Sequence, residues 1–379
     1  MSGMNQSAVR RVNTSVTLRA LAVSAGPMTL AALAEHTGLS RRTIELIMDS
    51  LVEAGWVTEL DRVPTSGNAG RPARRYELRA EHALLAAVCI TTSDVSAVIA
   101  DVRGRILGRA HRLLRAYQDP QVTLDDAAAL VLEALDDAGG SADRLRAGAV
   151  ASGGAIDDHG VVRRLVHTTR WEGVHLPGEL KRRIRMPWFA DNDTNLGALA
   201  ERWRGVAGDH DNVVWAILGN RTGLGILIRG AVHRGLDGSA GEIVEARSIP
   251  TGSIENRPVA WLTSPEPAER SVALGRFAAA RAGDATALAE VGEFVENIAS
   301  ILTTLSWTIA PSLIVLGGGL EDAADVLLPR VRTALRDART PAVELRATSL
   351  GRDAALIGAV KLALDRMDTE LFGPLTPST

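Results

Sequence analysis

Residues 30–57 read LAALAEHTGLSRRTIELIMDSLVEAGWV. Thr29 can cap a helix over residues 30–36, Gly38 supplies the turn, and Ser40 can cap a further helix through Leu51 and Ala54 to Gly55. Small Ala residues fall where two helices must cross closely, and Leu39, Ile44, Ile47 and Leu51 share one inner face. The pattern predicts a helix-turn-helix. Ser40, Arg41, Arg42 and Thr43 open the outer face of its last helix, where free backbone N–H groups favour phosphate and a recognition helix places its base contacts. These four residues are candidate base or phosphate contacts to double-stranded DNA, with a solvated basic helix start as the alternative for the arginines.

Upstream, apolar residues recur at helical spacing from Val12 to Val23 before Gly26-Pro27 stops the run. Downstream, residues 56–60 and 75–79 alternate like strands around a Gly/Pro/Ser/Asn-rich tip, which is the signature of a wing. That tip carries Gly70-Arg71-Pro72, then Arg74 and Arg75, guanidinium groups able to enter a narrow, negative minor groove. For Arg74 and Arg75 a basic interdomain linker is the other reading. Residues 1–80 therefore form one module, with ten Arg against seven Asp/Glu.

The remainder holds 32 basic and 38 acidic groups, so a mildly basic module sits on an acidic body and the chain nets −3. That balance excludes a nonspecific polyanion binder and fits a localised nucleic-acid contact. Only Lys181 and Lys361 are lysines, leaving phosphate contacts to Arg and backbone amides. A length of 379 residues and 46% hydrophobic content suit two or three domains with sizeable cores. The single Cys89 forbids an internal disulfide, and the first residues lack a secretory signature, which together point to the cytoplasm. Residues 298–320 carry no charge, but Pro311 and Gly317-Gly318-Gly319 divide them into a buried helix, a break and a buried strand, so no membrane association is expected.

The body reads as an α/β pattern that occurs twice. Strands at 82–90, 95–101 and 106–113 precede a helix at 124–138, a strand at 147–151, a strand at 188–191 and a helix at 195–203. Strands at 213–218, 224–228 and 231–232 precede a helical region at 268–309, strands at 313–316 and 343–349 and a final helix to about residue 365. Two lobes follow, 81–205 and 206–379, the C-terminal helix returning towards the first, with a cleft between them suited to a small molecule.

These features resemble the ROK group of sugar-responsive repressors and sugar kinases. The segments that carry the likeness are TGLSRRTIELIMDSLVEAGWV, AGRP, ADNDTNLGALAE, TGLGILIRGAVHRGLDGSAGEI, APSLIVLGGGLEDA and GRDAALIGAVKLAL, spread over residues 12–366. The resemblance implies an actin-like, ribonuclease-H-like fold for each lobe behind a winged helix-turn-helix, with a sugar or sugar-phosphate effector between the lobes. It also implies a homodimer or homotetramer. Asn192 and Asp193 match the pair that hydrogen-bonds sugar hydroxyls, and Glu242 matches a further carboxylate contact. Gly154 and His167 border the same cleft by position. Read from the residues alone, Asp193 can equally be an N-cap, and His167 a structural or solvated histidine.

Two departures bear on chemistry. The kinase run Asp-x-Gly-Gly-Thr-Lys is Cys89-Ile90-Thr91-Thr92-Ser93-Asp94 here, and Arg221 replaces the first Gly of a Gly-Thr-Gly. Shape and charge both oppose ATP. The usual zinc His is Glu245, Val244 replaces the preceding Gly, and the Cys-rich run is missing, so neither metal nor nucleotide is expected as a cofactor. Glu245 is then either a substitute effector contact or an ordinary surface carboxylate. The expected function is a transcriptional regulator without catalytic residues. A sugar kinase with an accessory DNA module and a DNA-bound protein with a decayed pocket are its rivals.

Overall fold

In the computed structural model the described residues are 6–60, 73–114, 117–166, 168–246, 251 and 257–372. The N-terminal module consists of α1 (Gln6–Val23), β1 (Met28–Thr29), α2 (Leu30–Thr37), α3 (Arg41–Glu53), β2 (Val57–Leu60) and β3 (Arg75–Leu78). Its local chemistry follows the sequence. Thr29 Oγ1 accepts from the Ala32 amide at 3.2 Å, Gly38 takes φ +70° at the end of α2, and Ser40 Oγ accepts from the Thr43 amide at 3.1 Å. Ile44, Ile47, Met48 and Leu51 turn inward from α3. Two details escaped the pattern: α1 starts at Gln6 rather than Val12, because its first turns are polar, and β1 is too short to alternate yet completes a three-stranded sheet in the order β1-β3-β2.

Lobe 1 comprises β4 (Leu84–Ile90), β5 (Asp94–Asp101), β6 (Ile106–Leu113), α4 (Pro120–Asp137), β7 (Leu145–Ser152), the hairpin β8 (Ala155–Ile156) and β9 (Val162–Arg164), α5 (Leu176–Arg183), β10 (Trp188–Asn192) and α6 (Asp193–Arg204). Lobe 2 comprises β11 (Val213–Leu218), β12 (Thr222–Ile228), β13 (Ala231–Val232), α7 (Pro267–Arg281), α8 (Ala285–Thr308), β14 (Leu313–Leu316), α9 (Ala324–Asp337) and β15 (Glu344–Ala347), after which α10 (Ala354–Phe372) closes the described chain. The lobes repeat one topology. Sheet order is β10-β7-β4-β5-β6 in the first and β13-β12-β11-β14-β15 in the second, each an antiparallel three-strand meander whose first strand pairs in parallel with the fourth. That is the actin-like, ribonuclease-H-like arrangement, and Asp284 splits the long helical region by capping α8 through the Ala287 amide at 2.8 Å.

Helix α6 occupies the seam. It packs between β12 and α10 at backbone distance: a Cβ on Gly225 would lie 1.9 Å from Thr194 O, and one on Gly358 1.9 Å from Leu196 O. Buried Glu201 is held there by Thr348 Oγ1 and the Val206 amide. A single hydrophobic core then runs from the winged helix (Leu21, Leu33, Ile44, Met48) through lobe 1 to α10 (Leu356, Val360, Met367). Arg103 adds a polar clasp, its guanidinium donating to Ala22 O at 3.1 Å and Ser24 O at 2.7 Å at the end of α1. Among the described residues no helix is long and apolar enough to cross a membrane. The uncharged stretch 298–320 divides instead into the end of α8 and the buried β14.

Candidate functional site

Two regions carry the chemistry read from the sequence. On the winged helix, Arg41 and Arg42 project from the start of α3, both exposed, and Arg42 is steered by Glu45 at 3.0 Å. Ser40 and Thr43 face each other at 2.8 Å across the cap, so their hydroxyls also hold the helix start. Arg74 pairs with Glu59 across the wing at 3.2 Å, while Arg75 is half-buried in β3 opposite Leu60 and Thr29. Arg71 lies outside the described residues.

Between the lobes lies a cleft of about 650 Å³. Lobe 1 contributes Gly154, Asn192 and Asp193 to its wall, and lobe 2 contributes Arg221 and Glu242. The cap of α6 is Asn192, not Asp193. Asn192 Oδ1 accepts from the Thr194 amide at 2.8 Å and the Asn195 amide at 3.2 Å, because an amide side chain one residue before the helix reaches those orphan N–H groups. The capping alternative for Asp193 is therefore corrected, and its carboxylate is free to face the cleft. Asn192 Nδ2 donates to Gly154 O at 2.9 Å and reaches Glu242 Oε1 at 3.2 Å across the cleft. Gly154 sits at φ +86°, and a Cβ there would strike Arg164 O at 2.4 Å, so the turn that brings its carbonyl to Asn192 requires glycine.

Electrostatics tie the lobes further. Arg221 Nη2 donates to Asp193 Oδ2 at 2.5 Å, and Arg234 makes a two-pronged contact with buried Asp191 Oδ2 at 2.6 and 3.0 Å. Burial, then the charges of Asp193 and Glu245, push the Glu242 carboxyl up to about 7. Near neutral pH it can therefore donate or accept a proton in a hydrogen bond. Glu245, expected as a cleft contact, is turned to Arg164 in a bidentate pair at 2.9 and 2.7 Å and is not among the cleft-lining residues. His167 lies outside the described residues.

Sequence reading missed Tyr117 and Gln118, which line the cleft from the segment between β6 and α4. Tyr117 stacks on buried Trp171 with ring centroids 5.5 Å apart, and Trp171 Nε1 donates to Tyr117 O at 2.8 Å. No periodicity marks such a loop residue. Its signal was Trp171, the one large aromatic side chain in the segment between β7 and α5.

The two hairpins that would face a nucleotide are closed. In lobe 1 the Thr91 hydroxyl accepts from the Ser93 amide at 3.3 Å and the Asp94 amide at 3.1 Å and bonds the Asp94 carboxylate, so amides that could cradle a phosphate are spent within the turn. Burial pushes the neighbouring Cys89 thiol up to about 12, leaving it protonated and without a carboxylate's capacity to serve a metal. In lobe 2 Arg221 closes on Asp193. These residues do not fit a magnesium nucleotide. Nor do Val244 and the Arg164-bound Glu245 fit the zinc position, since no thiolate ligand stands beside them.

A winged helix sharing one core with a two-lobed body, whose cleft is lined by Asn192, Asp193, Arg221 and Glu242, is the architecture that defines the class. Comparison with known proteins places it: the ROK family model matches residues 86–252 and 263–366, and an IclR helix-turn-helix model matches residues 17–61. The chain belongs to the ROK family. It is 23% identical over 379 residues to a xylose repressor of Bacillus spizizenii, covering 95% of this chain and 97% of that one. It is 31% identical over 222 residues to a glucokinase of Halalkalibacterium halodurans, covering 50% of this chain and 67% of the relative. Among solved structures, a ROK family transcriptional regulator described as a homologue of the E. coli MLC protein superposes with TM-score 0.74 at 19% identity, covering 97% of both chains. A Streptomyces griseus ROK glucokinase in complex with glucose and AMPPNP superposes with TM-score 0.63 at 24% identity, covering 74% of this chain and 99% of that one.

Proposed function

We propose that this chain is a DNA-binding transcriptional repressor of sugar-metabolism genes that acts in the cytoplasm as a homodimer or homotetramer. A sugar or sugar derivative held between the lobes sets its DNA affinity. The observation that carries the reading is the single core joining the winged helix to lobe 1 and α10, because a domain so joined moves with the body. Closing or opening the cleft then changes the spacing of two recognition helices on an operator, and the free energy of sugar binding is drawn into DNA affinity. A xylose-repressor relative matched over nearly its full length supports it.

In this reading a sugar hydroxyl takes over the Asn192–Glu242 contact, Asp193 and the Gly154 carbonyl accept from further hydroxyls, and Tyr117 covers one ring face. Each charge-assisted bond contributes about 1.5–3 kcal/mol before desolvation. Arg41, Arg42 and the wing arginines Arg71, Arg74 and Arg75 serve the duplex. With operators selected from random duplexes by the full chain, Arg42→Glu is expected to weaken retention in a gel shift by roughly tenfold or more. Retention equal to the parent overturns the role.

A second reading, a sugar kinase with a DNA module, is favoured by Asp193 at the cleft and by the glucokinase relatives. It is opposed by the closed Thr91–Asp94 turn and by Arg221, which engages the carboxylate a kinase would use as base. No zinc or nucleotide belongs to the reading we favour. Turnover of ATP with any member of a hexose panel would overturn it.

A further inference from the structure

A second cavity, of about 390 Å³, opens where lobe 1, lobe 2 and α10 meet, and its charge is opposite to that of the sugar cleft. The cleft is walled by Asp193, Glu242, Glu266 and Glu269 against the one cation Arg221. The second cavity is walled by Lys181, Arg234 and Arg366 against the one carboxylate Asp158, whose side chain is 82% exposed. Its lining also includes the apolar residues Trp188, Phe189 and Leu362.

The cations arrive from three parts of the chain. Lys181 lies in the last turn of α5, where its neighbours Arg182 and Arg183 are committed to Glu179 and, for Arg183, also Asp125. Lys181 itself is exposed and has no ion-pair partner among the described residues, in contrast to Lys361, which is held by Asp365 at 2.5 Å. Arg366 comes from α10 and lies over the Phe189 ring, 5.6 Å from its centroid, with no carboxylate partner among the residues whose side chains are described, which on α10 end at Met367. Arg234 enters from lobe 2, anchored to Asp191 at 2.6 Å with Asp158 at 3.8 Å.

The rim is built rather than loose. Asp157 accepts from the His159 and Val161 amides at 2.9 Å each and from Arg163 at 2.7 Å, which fixes the turn carrying Asp158, His159 and Gly160. His175 Nε2 lies 3.0 Å from His159 O and closes the same side.

We propose that this cavity binds a small organic phosphate. Three cations against one exposed carboxylate supply the charge for a phosphomonoester dianion, and Phe189 with Leu362 supplies contact for the carbon part that inorganic phosphate lacks. The acidic sugar cleft repels the same anion, so the two sites divide their ligands by charge. This inference stands apart from the sugar reading, since it uses none of the cleft residues.

The probe is phenyl phosphate, which is not a sugar. Titration calorimetry on the full chain compares it with inorganic phosphate and phenol. Phenyl phosphate is expected to bind, with both controls weaker by roughly tenfold or more. The Lys181→Glu, Arg366→Glu double variant is expected to lose at least that factor while retaining the parent's circular-dichroism melting curve. Should the double variant fail to fold, Lys181→Glu alone gives the reading, because its side chain is exposed and unpartnered. Absence of phenyl phosphate binding to the parent overturns the proposal, as does affinity unchanged in the folded variant. Inorganic phosphate binding as tightly as phenyl phosphate overturns the assignment of an organic ligand.

Discussion

Both lobes have one strand order, and in both the first two strands form a hairpin aimed at the cleft, yet the two hairpin turns are shut by different means. Lobe 1 closes its turn locally: Thr91, in place of a glycine, brings a hydroxyl that consumes the amides of Ser93 and Asp94. Lobe 2 closes its turn at long range, with Arg221 crossing the cleft to Asp193, 28 positions away in the chain. The same turn is thus engaged in two ways, by side chain-to-backbone bonding in lobe 1 and by an ion pair in lobe 2. The first device costs the protein only a potential phosphate cradle. The second also clamps the lobes together, so the lobe 2 hairpin bears on the motion that the proposed regulation requires.

The contrast can be broken most forcefully at the seam both lobes share. Gly225→Ala would press a methyl into the Thr194 carbonyl of α6, with backbone on both sides and no side chain free to yield. We expect a loss of about 3 kcal/mol or more, read as a fall in denaturation midpoint. Next comes the clamp. Arg221→Ala leaves the Asp193 carboxylate, 9% exposed, without its cation, and is expected to cost about 1.5–3 kcal/mol. Asp193→Asn should cost less, since the stranded Arg221 is 30% exposed and can reach water. If the order of those two variants is reversed in urea melts, the clamp is not what holds Asp193.

Glu242 sharpens the comparison through pH. Its carboxyl is raised in the folded state to about 7, so the stability it contributes is full below the ordinary carboxylate range and is lost as pH rises through that value. Relative to the parent, Glu242→Gln should therefore gain stability as pH rises from about 4.5 to 7. A difference between the two melting temperatures that stays flat over that window would contradict the assignment. The smallest effect belongs to the local device: Thr91→Val removes one half-buried hydroxyl and is expected to cost about 1 kcal/mol by thermal melting, with no change in lobe opening.

The winged helix was the most legible part of the chain. Thr29, Gly38 and Ser40 act within three or four residues of themselves, and Ile44, Ile47 and Leu51 repeat at the helical period, so short-range chemistry decides their placement. The two-lobe repeat was legible for the same reason, most strands being apolar or alternating runs between turn residues. Hairpin β8–β9 and strand β1 were not, since segments of two or three residues carry little period, although the two-residue β13 was legible. At the cleft, Asn192, Asp193, Gly154 and Glu242 were named from resemblance and converge in space, while Glu245 was named the same way and turned to Arg164.

What the sequence by itself determined is local: caps, turns, periods, the single cysteine and the residue types at each hairpin. Pairings over long chain distances belong to the tertiary structure alone. It decided that Arg221 meets Asp193, that Tyr117 reaches the cleft, and that Lys181, Arg234 and Arg366 surround one cavity. The physical reason is that a cap is chosen by the nearest free amide, whereas a charge finds its partner only after α6 and α10 have packed and brought distant strands within a few ångströms.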